Sequence, residues 1–181
     1  DNAPVFTSGA TSSTAENGPF AYGASATDAD GSTITYTISG GADAALFSIS
    51  ESTDVVSFIS VADFENPGDA GGNNVYDIII TASDGVNTAD QAVAITVTNQ
   101  NDNAPVFTSG AAASVAENQT AAYTATTTDA DDGSRTYSLS GTDAALFNID
   151  ANSGVVSFKT APDFENPSDD GGNNIYNIIV T

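Results

Sequence analysis

The sequence contains two copies of one pattern, and the second copy follows the first at an almost constant displacement. Residues 1–4 (DNAP) recur at 102–105, and Asp28-Ala29-Asp30 recurs at 129–131, each displaced by 101. After a one-residue deletion the displacement becomes 100, so that the DFENP motif at 63–67 recurs at 163–167. Tandem duplication is the economical explanation, and it predicts two domains of about a hundred residues, each long enough for its own core.

Within each copy, apolar and polar residues alternate in short runs. Ile34, Tyr36 and Ile38 alternate with threonines, and Val93, Ile95 and Val97 alternate with small or polar residues. A period of two is typical of a half-buried strand. We expect about seven strands in each repeat, separated by Gly, Asn, Asp and Pro clusters. In the first repeat they lie near 5–8, 20–26, 33–39, 47–50, 55–59, 75–82 and 90–98, with a helical turn around 43–46. This pattern predicts an all-β fold of two tandem β-sandwiches.

The motif NQNDNAP at 99–105 has the composition of a joint between domains, since it is short, polar and ends in proline. We therefore predict a first repeat at 1–99, a linker at 100–105 and a second repeat at 106–181. Thr181 corresponds to Thr81, so the second repeat lacks a counterpart of the last strand. We expect the chain to be a segment of a longer protein. Either this segment ends before the last strand of the repeat, or a strand from elsewhere fills the gap.

The charge balance excludes several kinds of partner and chemistry. The formal net charge is -22, with 24 acidic residues against Arg135 and Lys159, so nucleic acid and anionic membranes would repel the chain. Cysteine and histidine are absent, which excludes disulfides, thiolate zinc sites and the usual catalytic triads. A carboxylate pair of the glycosidase kind is the only catalytic machinery left. We expect no enzyme and, without a long apolar run, no membrane insertion.

Acidic residues recur at matching places in each repeat, mostly in turns between the predicted strands. In the first repeat they are Glu16, Asp28, Asp30, Asp63, Glu65 and Asp84. Alternate turns of a sandwich gather at opposite ends, which places Glu16, Asp63 and Glu65 beside Asp102, with Asp129 and Asp131 approaching from the second repeat. At ~4 Å and an effective dielectric near 20, each like-charge pair costs on the order of 4 kcal/mol, so a cation must neutralise them. Calcium fits best, because it takes about 6 to 8 oxygen ligands in flexible geometry, whereas magnesium requires a tighter octahedron.

The order of these motifs resembles that of the cadherin repeat. Ala-Glu-Asn, Asp-Ala-Asp, Asp-Phe-Glu, Ala-Ser-Asp-Gly and Asn-Gln-Asn-Asp-Asn-Ala-Pro are similar to the signatures Pro-Glu-Asn, Asp-x-Asp, Asp-x-Glu, Ala-x-Asp and Asp-x-Asn-Asp-Asn-x-Pro. The resemblance covers the first repeat completely and the second as far as Thr181. The loop at 66–76 is more similar to the cadherin-like repeats of large bacterial surface proteins and adhesins than to animal cadherins. The resemblance implies seven-stranded, Greek-key, immunoglobulin-like sandwiches, the second without its last strand.

The resemblance also implies about three calcium ions at the joint. Glu16, Asp63, Glu65 and Asp102 would hold the first two, with the Gln100 carbonyl and Asp131 completing the second. Asn101, the Asn103 carbonyl, Asp129 and Asp131 would hold the third. Asn99 replaces an aspartate of the family pattern, so the second ion is expected to bind more weakly. The counterpart of Asp84 lies beyond Thr181, so the third site is short of a ligand and is expected to be empty, hydrated or occupied differently. Asn2, Asp28, Asp30 and Asp84 would form half a joint at the other end of the first repeat.

The function implied is that of a calcium-dependent adhesion or extender module outside the cell, at its surface. Calcium would stiffen a rod of neighbouring repeats, and other cell-surface chains would be its partners. A calcium-dependent module that binds carbohydrate, with polysaccharide as partner, is the alternative. The loop at 69–74 is either a flexible acidic loop or an extra calcium site. Asn118-Gln119-Thr120 fits a glycosylation acceptor.

Overall fold

The computed structural model describes residues 2–181, so Asp1 and its equivalence to Asp102 lie outside the described residues. The chain divides into two compact units, the first ending at Gln100 and the second running from Asn101 to Thr181. Both units are built from strands, with one short 3-10 turn in each. Among the described residues, the structure contains no helix with the length and apolar character that a membrane crossing requires.

The first unit has two main sheets packed face to face. Its strands are β1 (Val5–Phe6), β2 (Thr11–Ala15), β3 (Tyr22–Gly23), β4 (Ala26–Thr27), β5 (Thr35–Gly40), β6 (Phe47–Ile49), β7 (Val55–Phe58), β8 (Val75–Ser83) and β9 (Thr88–Thr98), with the 3-10 turn at Ala44–Leu46. One sheet has the order β2-β9-β8-β5 and the other β3-β7-β6, while β1 pairs with β4. In the four-stranded sheet β9 runs antiparallel to β8 and parallel to β2, so β9 lies in the interior of the sheet.

Alternation along β8 and β9 builds the core of the first unit. Ile78, Ile80 and Ile95 are at most 1% exposed, whereas the residues between them on the opposite face are half-buried or exposed. The rings of Phe47 and Phe58, on the facing sheet, lie 4.3 Å apart between centroids. Burial of these aliphatic and aromatic side chains is the main stabilising term available to a chain that has no disulfides.

The second unit follows the same order of elements but has no counterparts of β2 and β9 among its described residues. Its strands are β10 (Val106–Phe107), β11 (Ala121–Thr124), β12 (Thr127–Thr128), β13 (Leu139–Ser140), β14 (Phe147–Ile149), β15 (Val155–Phe158) and β16 (Ile179–Val180), with the 3-10 turn at Ala144–Leu146. Strands β13 and β16 are shorter than β5 and β8. Strands β11, β15 and β14 form one sheet, and β13 pairs with β16. Its buried apolar core contains Phe147, Val156 and Phe158. The small core reflects how little of the sheet equivalent to β2-β9-β8-β5 is present in this unit.

The predicted all-β sandwich fold is confirmed, and the local differences have physical causes. The segment TSSTA of β2 carries no large apolar residue, and its pattern therefore gave no strand signal. Pairing with β9 makes it a strand, since five consecutive residues of β2 match β9 in parallel register. The predicted strand at 20–26 is interrupted between β3 and β4. The turn expected around 43–46 is present as the 3-10 turn at Ala44–Leu46.

Candidate metal centre

Three carboxylates converge at one end of the first unit. Glu16 follows β2 directly, while Asp63 and Glu65 lie in the loop between β7 and β8. One carboxylate oxygen from each residue lies within 4.8 Å of the others. Glu16 is only 3% exposed, Glu65 is half-buried and Asp63 is exposed. The predicted meeting of these three residues is therefore present within this unit.

Glu16 is held by backbone groups from two other segments. Its Oε2 accepts a hydrogen bond of 2.7 Å from the N–H of Phe64, and its Oε1 accepts one of 2.7 Å from the N–H of Gln100. Its own N–H donates to the carbonyl of Thr98 at 3.1 Å. A buried carboxylate needs such partners, because an unpaired charge in the interior is costly. Glu16 thus connects the loop of Asp63 to Gln100, two residues after β9.

The first unit supplies no cation to this cluster. Residues 1–134 contain neither lysine nor arginine, and both basic residues, Arg135 and Lys159, belong to the second unit. The Nζ of Lys159 donates to the carbonyl of Ala145, at 2.7 Å. Carboxylate oxygens a few ångströms apart repel one another, and no ammonium or guanidinium group of the first unit offsets this repulsion. A hard cation from solution, bound by oxygen ligands, suits this donor set.

Asp28 and Asp30 lie between β4 and β5, and Asp84 lies between β8 and β9. The N–H of Asp30 donates to Asp28 Oδ1 at 2.8 Å, and the N–H of Asn2 donates to Asp30 Oδ2 at 2.5 Å. Asp84 Oδ1 accepts hydrogen bonds from the N–H groups of Asn87 and Val86, which hold the pKa of Asp84 below its usual value. The Oδ2 atoms of Asp28 and Asp84 are both buried and accept no hydrogen bond from the described residues. Such orphaned acceptors fit a cation ligand set.

The second unit repeats this arrangement with the linker residues of the candidate set. The N–H of Asp131 donates to Asp129 Oδ1 at 3.0 Å, and Asn103 donates to both oxygens of Asp131, from N–H at 2.7 Å and from Nδ2 at 3.0 Å. Asn103 Nδ2 also donates to Asp102 Oδ1 at 2.9 Å. The side chain of Asn101 packs against Gly133, just beyond the aspartates. Asp102, Asn103, Asp129 and Asp131 are thus brought together within this unit.

Structural carboxylates account for the acidic loop at 69–74. Asp69 is 7% exposed, and its two oxygens accept hydrogen bonds of 3.0 Å from the N–H groups of Asn73 and Asn74. Burial raises the pKa of Asp69, but these backbone donors outweigh it and hold the pKa below its usual value. Buried Asp43 accepts 2.7 Å bonds from the N–H groups of Ala70 and Asp77. The loop is therefore ordered by its own carboxylates, which differs from a flexible acidic loop.

One acidic cluster was absent from the predicted set. Glu117, Asp163 and Glu165 of the second unit also bring carboxylate oxygens within 4.8 Å of one another, although all three are exposed. Glu117 Oε2 accepts a hydrogen bond of 3.1 Å from the N–H of Phe164, as Glu16 does from Phe64. The signal that would have found this cluster is the repeat displacement itself, which maps Glu16, Asp63 and Glu65 onto these positions.

Similarity to known proteins supports the resemblance of the motifs to the cadherin repeat. No protein-family model matches the chain. Mouse Protocadherin-15 is 42% identical over 84 residues, which is 45% of this chain and 4% of that protein. Mouse Protocadherin Fat 4 is 32% identical over 142 residues, which is 73% of this chain and 3% of that protein. The chain therefore spans only a small part of the length of the curated relatives it matches.

Solved structures agree with these sequence matches. The chain superposes on human Protocadherin-24 EC1-2 with a TM-score of 0.73 and 26% identity, covering 99% of this chain and 93% of that one. Together these matches show that the chain consists of cadherin-like repeats. They also confirm the predicted extracellular location of these repeats at the cell surface. The matched cadherin-like proteins are not enzymes.

Proposed function

We propose that this chain is a calcium-dependent extender and adhesion module, in which Ca2+ ions at the joint between the repeats stiffen a rod. One observation carries the proposal: Glu16, Asp63 and Glu65 bring their oxygens within 4.8 Å in a unit without any basic residue. Such a cluster is unfavourable alone and favourable around a divalent ion. Calcium would supply the positive charge that the first unit lacks.

The ligand set combines side chains and backbone from both units and the linker at 100–105. On the first unit Glu16, Asp63 and Glu65 would bind, together with the carbonyl of Gln100. On the second, Asp102, Asp129 and Asp131 would bind, with Asn101 and the carbonyl of Asn103. Asn103 holds Asp131 by two hydrogen bonds, so this aspartate is oriented before any ion binds. Asp28, Asp30 and Asp84 would contribute an equivalent half site with Asn2.

Rigidity follows from sharing ligands between units. Without calcium, like charges on the two units and the linker repel, and the linker is free to bend. With calcium bound, oxygens from both units coordinate the same ions, which restricts the angle between the repeats. Extracellular calcium modules bind at about 0.1–1 mM, so the joint would respond to calcium outside the cell. Neighbouring repeats and other cell-surface chains would then be the partners of the stiffened rod.

Small-angle X-ray scattering of residues 1–181 with calcium and with chelator tests this proposal. We expect calcium to increase the maximum dimension of the chain. We also expect it to narrow the spread of the long interatomic distances, because one angle between the repeats is then favoured. Asp131→Asn, which keeps the side-chain shape but removes a charge, should require at least about tenfold more calcium for the same change. Glu51→Gln, an exposed acidic residue outside the candidate set, is the matched control. Scattering that is identical with and without calcium would refute the proposal.

A bacterial surface origin, which the loop at 66–76 suggested, remains part of this proposal. The ordered loop contains Asp69, Asn73 and Asn74, and its counterpart in the second unit has the same hydrogen bonds to Asp169. Carbohydrate binding is the alternative function. A calorimetric titration with calcium alone measures metal binding independently of the bacterial origin and of any carbohydrate binding.

A further inference from the structure

Asn74 is the last residue of the loop between β7 and β8, and its backbone is held from two sides. Its N–H donates to Asp69 Oδ1 at 3.0 Å, and its carbonyl accepts the N–H of Val97 on β9 at 2.9 Å. Its φ is +60°, in the left-handed region that asparagine adopts more readily than most residues. The side chain of Asn74 is only 8% exposed, so its amide points into the protein.

The amide of Asn74 binds the segment that carries two of the three clustered carboxylates. Its Nδ2 donates to the carbonyl of Phe64 at 2.9 Å, while the N–H of Phe64 donates to Glu16 Oε2 at 2.7 Å. Phe64 also packs its ring against the core of the first unit. Because Phe64 stands between Asp63 and Glu65 in the chain, the bonds to its backbone determine where these two carboxylates lie.

The loop that ends at Asn74 is supported by buried aspartates. The two oxygens of Asp69 accept N–H groups of the loop itself, and those of Asp43 accept the N–H groups of Ala70 and of Asp77 on β8. All four oxygens of these two aspartates are therefore used in hydrogen bonds to backbone. This argues for a loop that supports other groups, and a support of this kind is needed because metal ligands must be held within about 0.5 Å.

The second unit couples the same amide to its own acidic cluster. Asn174 has a φ of +62°, and its N–H donates to Asp169 Oδ1 at 3.0 Å. Its Nδ2 donates to the carbonyl of Phe164 at 3.0 Å, and the N–H of Phe164 donates to Glu117 Oε2 at 3.1 Å. An asparagine amide, a phenylalanine peptide group and a cluster glutamate are thus connected in the same order in both units.

We propose that Asn74 is a positioning residue of the calcium site, an inference that rests on the function proposed above. Asn74 binds no ion itself. By holding the carbonyl of Phe64, its Nδ2 keeps the carboxylates of Asp63 and Glu65 close to that of Glu16 while the ion is absent. The role requires an amide, because an aspartate at this position would turn an oxygen toward the carbonyl oxygen of Phe64, and two acceptors repel each other.

Two variants with the same charge change test the proposal by calorimetric titration of residues 1–181 with calcium. Asn74→Asp and Asn73→Asp each add a negative charge, which alone would tighten cation binding. Asn73 is exposed, and its Oδ1 accepts the N–H of Val75 at 3.0 Å, a bond that an aspartate retains. We expect Asn73→Asp to bind calcium at least as tightly as the wild type, and Asn74→Asp to bind it about tenfold more weakly. Equal affinities of the two variants would overturn the proposal.

A third variant separates positioning from general stability. Asn74→Gly removes the amide but tolerates the positive φ and keeps the N–H that binds Asp69. It should also bind calcium about tenfold more weakly. In chelator, hydrogen exchange should become faster at the amide of Phe64 and stay unchanged at that of Ile80, which is fully buried on β8. Equal acceleration at both amides would assign Asn74 to overall stability and overturn the proposal.

The wild-type titration distinguishes this inference from the proposed function. A wild-type chain that binds no calcium would refute the proposed function itself. A wild-type chain that binds calcium, with unchanged affinity in both Asn74→Asp and Asn74→Gly, would refute only the role of Asn74.

Discussion

The buried carboxylate of Glu16 accepts a hydrogen bond of 2.7 Å from the backbone N–H of Gln100, the residue two positions after β9. The other oxygen of the same carboxylate accepts the N–H of Phe64 at 2.7 Å. One side chain therefore connects the end of the longest strand to the loop that carries Asp63 and Glu65. This connection is made by the protein alone, so the first unit presents its proposed ligands in a fixed arrangement before calcium binds.

We predict that Glu16→Gln lowers the free energy of unfolding of the first unit by about 1–3 kcal/mol in chelator, because charge-assisted hydrogen bonds are lost. The NH2 group of the glutamine would also face the backbone N–H of either Phe64 or Gln100, and two donors repel each other. Glu117→Gln should cost less than about 1 kcal/mol in the second unit, since Glu117 is exposed and accepts one bond at 3.1 Å. Native-state hydrogen exchange in β8 and β9, and in β14 and β15, measures each unit separately. Equal costs would contradict this difference in burial and bonding.

Asp63→Asn should change stability in opposite directions with and without calcium. In chelator the variant removes one of three clustered charges, and the asparagine oxygen can still accept the bond from the N–H of Asn66. We expect a gain of about 0.5–1 kcal/mol. In millimolar calcium the same variant should be less stable than the wild type, because it binds the ion more weakly.

Thermal unfolding with calcium and with chelator measures both signs for Asp63→Asn. Glu51→Gln, which removes an exposed charge elsewhere, should shift both midpoints alike. A variant of Asp63 that is stabilised, or destabilised, equally under both conditions would show that this carboxylate is not a ligand.

Much of the fold was accessible from the sequence because its signals are local. The alternation of Val93, Ile95 and Val97 identifies a buried face, and the structure buries all three. Turn motifs placed Glu16, Asp63 and Glu65 at one end of the sandwich, where their oxygens meet. The turns of a sandwich cluster at its two ends, so the order of the turns along the chain indicates which carboxylates meet.

Other features depend on pairing between distant segments, for which the sequence carries no local signal. Strand β2 exists because β9 lies beside it, although TSSTA alone resembles a loop. The roles of Asp43 and Asp69 were also missed, because a buried aspartate that accepts backbone N–H groups has the same local sequence as a solvated one. Only the tertiary structure distinguishes the two environments.

Gly41 is expected to be irreplaceable in the turn after β5. Its φ is +102°, and a Cβ there would lie 2.4 Å from the carbonyl oxygen of Asp77 and from the Cα of Ile78. Gly41→Ala should cost about 2–4 kcal/mol, since backbone of the adjacent strand would have to move. Gly72 has a φ of +61°, and a Cβ added there would have no atom within 4 Å. Gly72→Ala should therefore lower the free energy of unfolding by only about 1 kcal/mol.

Urea unfolding of the two glycine variants, followed by tyrosine fluorescence, measures this difference. Both substitutions place alanine at positive φ, so the excess cost of Gly41→Ala isolates the contact with β8. The same cost for both variants would show that backbone conformation, rather than the close approach of Asp77, determines the requirement for glycine.

Asp69 should make the first unit sensitive to acid. Backbone N–H groups hold the pKa of Asp69 below the value near 3.9 of an unfolded aspartate. Above about pH 4 the carboxylate is ionised in both states, and the folded state has the full benefit of its hydrogen bonds. As the pH falls below about 4, the unfolded state binds a proton first, so this benefit is progressively lost.

Asp69→Asn should therefore be less stable than the wild type at neutral pH, with the difference shrinking below about pH 4. Unfolding measured by urea from pH 7 to pH 3, in chelator, tests this, and Asp77→Asn, which alters an exposed carboxylate on β8, should follow the wild-type curve.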